Sequence, residues 1–159
     1  MMLELILVRH AKSSRKFTGI DDIDRPLNGT GYEEGLAIAQ LLRSKKHIPD
    51  VIISSVAVRA YSTALIFSKV LKSEIEFMTE PMLYEISTHD LLDFIHQLDS
   101  KHSSVMLVGH NPSFSAIAEQ FNPDYYHVPT AGVVRFVFES DAWADIGDYN
   151  LKESEIFQP

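Results

Sequence analysis

Cysteine is absent from the 159 residues, which excludes disulfides, thiolate catalysis and Cys-based zinc or iron-sulfur sites. Positive charge is scarce: 14 Lys and Arg stand against 22 Asp and Glu, the formal net charge is −8, and no basic block exceeds Lys45-Lys46. The broad cationic face that a phosphate backbone requires is therefore missing, and nucleic acid is not expected as a partner. Long hydrophobic runs are missing too. The first, Met1 to Val8, is too short for a signal-peptide core or a membrane span and gives way at once to Arg9, His10 and Lys12, so no membrane association is expected and the cytoplasm is the expected compartment. Internal repeats, low-complexity tracts and linkers are also lacking, so residues 1–159 are expected to form a single domain. The remainder is an ordinary globular composition, 45% hydrophobic and 23% charged.

Along the chain, Leu3 to Val8 (LELILV) reads as a buried strand. Residues Arg9 to Pro26 are polar and irregular, and so long a loop inside a compact domain is usually functional. Asn28 and Thr30 are cap residues, and Thr30 with Glu33 makes a capping box before Leu36, Ala37, Ile38, Leu41 and Leu42, predicting a helix that ends near Lys46. Val51 to Ser54 predicts a second strand, Val58 to Leu71 a helix, Glu74 to Met78 a weaker strand, and Thr88 to Leu98 another helix. Val105 to Val108 (VMLV) is a clear strand, after which Asn111 and Pro112 look like the cap and first position of a helix to about Phe121. Val133 to Phe138 closes the series, and the acidic Ser140 to Glu155 predicts a peripheral strand or loop. Strands alternating with helices predict an α/β fold, a three-layer α/β/α sandwich with a mostly parallel central sheet.

In such a sheet, ligands bind beyond the carboxyl ends of the strands. Three of those ends carry candidate chemistry. The first delivers Arg9-His10; the second delivers Ser54-Ser55 and then Arg59; the VMLV strand delivers Gly109-His110-Asn111-Pro112 ahead of a helix amino terminus. If the strands are neighbours, two arginines, two histidines and a helix dipole converge on a volume suited to a phosphoryl group, whose oxygens match the planar fork of arginine.

LVRHAKS (Leu7 to Ser13), SSVAVRAYSTA (Ser54 to Ala64) and VGHNP (Val108 to Pro112) together resemble the histidine phosphatase, or phosphoglycerate-mutase-like, superfamily. The chain is most similar to its short SixA-like branch of phosphohistidine phosphatases, in which DxDRPLxxxG (Asp22 to Gly31), LYE (Leu83 to Glu85) and PTAG (Pro129 to Gly132) also recur. The resemblance implies a metal-independent phosphohydrolase without cofactor. His10 would be the nucleophile, becoming a phosphohistidine that water hydrolyses. Arg9, Arg59 and His110 would bind the phosphoryl oxygens, with Ser13 beside them. The resemblance places the proton donor at Glu85, with Asp21, Asp22 and Asp24 of the long loop as alternatives. Relatives of the acid phosphatase type carry an aspartate after the second histidine; Asn111 closes that route here. A neutral His10 with a protonated His110 would give a bell-shaped pH profile. The branch also lacks the helical insert of larger relatives, implying a pocket open to a phosphorylated protein, with small phosphorylated substrates as the second expectation and a non-catalytic phosphate-binding module as the third.

Several other patterns resolve into ordinary structure. Gly29-x-Gly31-x-x-x-Gly35 misses the dinucleotide spacing by one residue and follows a polar loop. Ser13, Ser14, Ser54 and Ser55 lack a GxSxG elbow. His47, His89, His96, His102 and His127 are expected at the surface or in structural roles; none has the HExxH spacing for zinc, and no carboxylates are evidently arranged around His89 and His96.

Overall fold

The computed structural model describes residues 1–72 and 74–159. Apolar alternation along the first strand, β1 (Met2–Arg9), sets the layering: Leu3, Leu5 and Leu7 face one side of the sheet and Ile6 and Val8 the other. Both faces are covered, so every central strand is apolar on both sides. On the Ile6 face lie α1 (Gly29–Ser44) and α2 (Val58–Leu71), contributing Ile38, Leu42, Ala60, Ala64 and Phe67. On the Leu5 face lie α3 (Thr88–His96) and α4 (Ser113–Phe121), contributing Leu91, Ile95, Phe114, Ile117 and Phe121. The expected three-layer α/β/α sandwich is thus present.

The remaining strands are β2 (Val51–Ser54), β3 (Glu76–Thr79), β4 (Ser104–Gly109), β5 (Val133–Glu139) and β6 (Leu151–Phe157), in the order β3-β2-β4-β1-β5-β6. The first four run parallel, whereas β5 lies antiparallel to β1 and β6 antiparallel to β5. The segment Ser140 to Glu155 therefore supplies an edge strand, as expected of a peripheral element.

Two caps differ from expectation. At α1 the Asn28 side chain, not the Thr30–Glu33 box, accepts from Gly31 N–H at 2.7 Å, because the chain is already helical from Gly29. At α4 the Asn111–Pro112 bond is cis and the helix begins at Ser113. Asn111 still serves the helix end, since its Oδ1 accepts from the backbone N–H of Ser115 at 3.1 Å and from the Ser115 hydroxyl at 2.8 Å.

Candidate active site

Strand register decides which residues meet. In β1 and β4, Val8 pairs with Val108 and Arg9 with Gly109, while Ser54 of β2 also pairs with Val108. The three chains leave the sheet level with one another: His10 N–H donates to the Gly109 carbonyl at 2.9 Å, and Ser55 N–H to the Val108 carbonyl at 2.9 Å. From that edge α1 and α2 pack on one face and α4 on the other, which opens a crevice at the carboxyl ends of β1 and β4. Gly109 is required there, because a Cβ would sit 2.6 Å from the Phe114 ring.

A cavity of about 460 Å³ fills the crevice. Arg9, His10, Ser13, Arg59, Glu85 and His110 all line it, so the structure gathers every residue singled out as nucleophile, anion ligand or first-ranked acid. Of the alternative acids, Asp22 is in the lining, while Asp21 and Asp24 are not. Asp21 precedes the short 3-10 turn Asp22–Asp24 and Asp24 ends it, and both are exposed.

The two imidazoles are buried, with ring centroids 5.2 Å apart. His10 Nδ1 lies 2.7 Å from the Ala11 carbonyl. A carbonyl can only accept, so Nδ1 carries the proton and Nε2 keeps the lone pair. Burial, with the charges of Arg59, Arg9 and Arg25 acting in the same sense, lowers the His10 pKa to about 4. His110 Nε2 contacts the Ser55 hydroxyl at 2.8 Å, and burial, followed by His10 and Arg59, brings its pKa down to about 3. Both rings are consequently neutral near neutral pH in the anion-free protein. Desolvation and a cationic neighbourhood both oppose the charge expected on His110.

The arginines are held from behind. Arg9 Nη1 donates to the Val128 carbonyl at 3.2 Å. Arg59, only 6% exposed, donates through Nη1 to the Asp22 carbonyl oxygen at 2.7 Å and through Nη2 to Asp22 Oδ2 at 2.9 Å. The Nε atoms of Arg9 and Arg59 are buried and have no hydrogen-bond partner among the described residues. A pocket with two unpaired buried N–H donors is built for an acceptor. Asp22 also accepts from the Tyr84 hydroxyl at 2.7 Å and from Arg25 Nε at 2.9 Å. Those bonds, with Tyr84 the largest contributor, hold its carboxyl far below the ordinary carboxylate range, which removes Asp22 as a proton donor. Reciprocally, the Tyr84 hydroxyl is raised to about 12, chiefly by its bond to Asp22.

Three contributors were not singled out from sequence. Arg25 lines the cavity as a further guanidinium and bonds the Ser13 hydroxyl at 2.6 Å, so Ser13 is fixed to a cation as well as facing the pocket. The signal was present in the DxDRPL block. Thr63, fully buried, accepts from Ala11 N–H at 3.0 Å and donates to the Arg59 carbonyl at 2.7 Å, which locks the residue after His10 to the helix that carries Arg59. Tyr84 places its ring edge-on to His110 with centroids 5.5 Å apart. The PTAG turn contributes through its backbone: Ala131 N–H donates to the Arg9 carbonyl at 3.1 Å, and the Gly132 carbonyl accepts from Arg9 N–H at 3.1 Å. Away from the cavity, exposed His89 does have a carboxylate neighbour, Asp93 at 3.4 Å, one turn along α3; His96 instead contacts the Ile146 carbonyl at 3.2 Å.

A profile of the histidine phosphatase superfamily (branch 1) matches residues 5–94, and the chain belongs to that superfamily. Within it the fold is SixA-like. A crystal structure of a candidate phosphohistidine phosphatase SixA from Agrobacterium tumefaciens is 30% identical, with a TM-score of 0.79 over 84% of this chain and 90% of that one. A second SixA candidate, from Nakamurella multipartitia, gives a TM-score of 0.82 at 23% identity over 100% and 97% of the two chains. An uncharacterized chloroplastic protein of Arabidopsis thaliana is 27% identical over 89% of this chain and 69% of its own length. No helix among the described residues is long and apolar enough to cross a membrane.

Proposed function

We propose that this phosphatase works without a metal ion, through a covalent phosphohistidine on His10, and that its substrate is phosphohistidine on a protein. The supporting observation is the paired imidazoles, 5.2 Å apart in a cavity also lined by Arg9, Arg15, Arg25 and Arg59, with the His10 lone pair assigned to Nε2. Nε2 attacks phosphorus in line, the P–N bond forms, and the bond from phosphorus to the leaving atom breaks. The Ala11 carbonyl, already accepting from Nδ1–H, stabilises the positive charge that develops on the ring. Arg9, Arg59 and Arg25 hold the equatorial oxygens, and a dianion placed among them also favours protonation of His110. Glu85, exposed at the cavity mouth, gives the leaving atom its proton and then takes one from the water that attacks the phosphoenzyme. Water's oxygen ends on inorganic phosphate, and Nε2 recovers its lone pair.

A phosphohistidine substrate suits the site because a protonated imidazole is a better leaving group than an alkoxide, and because the catalytic wall ends in exposed residues that a protein surface can approach. Rapid-quench labelling with radioactive substrate, in chelator, tests the mechanism. Acid-labile, alkali-stable label is expected on the peptide containing His10, with hydrolysis of an aryl phosphate lost in His10→Ala; label on a serine, or equal rates in the two proteins, refutes it. Turnover of a phosphohistidyl protein against a panel of phosphorylated metabolites tests the substrate.

A further inference from the structure

Asp22 is the hub of an arrangement that the phosphoryl-transfer reading leaves unexplained. Two segments distant in sequence meet on this one residue, Arg59 through both Nη atoms and Tyr84 through its hydroxyl, and Arg25 of its own loop joins them through Nε. The outer edge of the Arg59 guanidinium is thereby committed to Asp22, on the carbonyl at 2.7 Å and on Oδ2 at 2.9 Å, while Nε stays buried and unpartnered among the described residues. Arg9 shares part of the pattern, with Nη1 alone on the Val128 carbonyl and Nε unpartnered among the described residues. A guanidinium has two edges that can grip an oxyanion, the Nη pair and the Nε–Nη edge. With the first edge occupied, only the second remains.

We propose that Asp22 is a positioning residue, which holds the Nη edge of Arg59 and so presents the Nε edge to the phosphoryl oxygens. The proposal rests on the phosphatase reading above and adds a role that the sequence pattern assigned to no residue. A carboxylate suits the task because it accepts from three donors at once; an amide would offer one oxygen and an N–H₂ group facing Arg59 and Arg25. Tyr84 serves the same frame, its hydroxyl on Asp22 and its ring 6.0 Å from the Arg59 guanidinium carbon. Two other roles for Asp22 are physically distinct. As a proton donor it would matter most for poor leaving groups. As a carboxylate competing with phosphate for Arg59 it would weaken oxyanion binding.

The experiment compares wild type with Asp22→Ala and Asp22→Asn in three measurements: binding of orthovanadate and inorganic phosphate by calorimetry, steady-state hydrolysis of an aryl and an alkyl phosphate, and thermal unfolding. Positioning predicts orthovanadate binding weakened about 100-fold in Asp22→Ala, with kcat lowered by a similar factor, KM changed less than about threefold, and the same loss on both substrates. Asp22→Asn, which preserves shape and guards against a folding defect in the alanine variant, is expected to lie between. Tighter oxyanion binding in the variants overturns the proposal in favour of competition. A loss confined to the alkyl phosphate overturns it in favour of acid catalysis, and unchanged binding and rates overturn it outright. Absence of label on His10 in wild type would instead defeat the covalent mechanism, while the calorimetry would still decide the role of Asp22.

Discussion

Acidification is expected to destabilise the protein through its two buried imidazoles. His10 and His110 are 9% and 8% exposed, and their pKa values lie at about 4 and about 3 where an unhindered histidine has 6.5. In the unfolded chain both regain ordinary values, so between about pH 6.5 and about pH 4 that chain binds two protons which the folded protein refuses. Stability is therefore fully present above this window and falls as the pH falls through it. Each group contributes a slope of about 1.4 kcal/mol per pH unit, and the pair costs about 4 kcal/mol between pH 7 and pH 5. That is a large share of a total of about 5–15 kcal/mol for a typical domain. Urea denaturation at the two pH values measures it, with a His10→Gln/His110→Gln double variant as control. The double variant is expected to lose most of the difference, and inorganic phosphate to reduce it in wild type, because a bound anion favours the charged imidazoles. An equal difference in both proteins would place the acid sensitivity elsewhere and refute the account.

Replacing Arg59 by Lys keeps the charge but removes the fork, and kcat on an aryl phosphate is expected to fall about 100-fold or more with little change in thermal midpoint. Gly31→Ala puts a Cβ 2.2 Å from the Lys12 carbonyl oxygen, two residues beyond His10; overpacking of about 1–3 kcal/mol is expected in denaturant titration, with reduced kcat because the displaced backbone is that of the loop carrying the proposed nucleophile. Glu85→Gln is expected to spare the aryl phosphate within a few-fold and to slow an alkyl phosphate about 100-fold, since only the alkoxide needs the proton; equal losses on both substrates would remove Glu85 as the acid.

Much of the fold was legible because period and burial agree. Val51–Ser54 and Val58–Leu71 match the expected elements residue for residue, as apolar strands covered on both faces and helices with one apolar side give strong signals. The direction of β5 was not legible. Its apolar pattern is the same whichever way it runs, and what turns it is a set of backbone bonds: the PTAG turn ties Ala131 and Gly132 to Arg9 at the carboxyl end of β1, so β5 must start where the parallel strands finish. Weakly apolar β3 was displaced by about two residues for a related reason. Glu76–Thr79 is an edge strand with largely exposed side chains, and its register comes from pairing with β2, not from burial.

The site divides along the same line. His10, Arg59 and His110 could be placed together because each follows an apolar strand, and in-register parallel strands bring their ends to a common edge. Protonation could not be read that way. A histidine in a sequence has no dielectric, and only the fold reveals that His110 sits beside His10 and Arg59 under a buried surface, which opposes the charge expected of it. Asp22 makes the point most sharply. Sequence ranked it with Asp21 and Asp24 as interchangeable acids on one loop, yet the 3-10 turn directs only the first side chain onto Arg59, Arg25 and Tyr84. A carboxylate under three donors cannot also be a reservoir of protons near neutral pH, because every bond that orders it favours its ionised form. Order in the arginine frame and acidity at the leaving group must therefore come from different residues, and Glu85 is the carboxylate lining the cavity that is not tied to an arginine among the described residues.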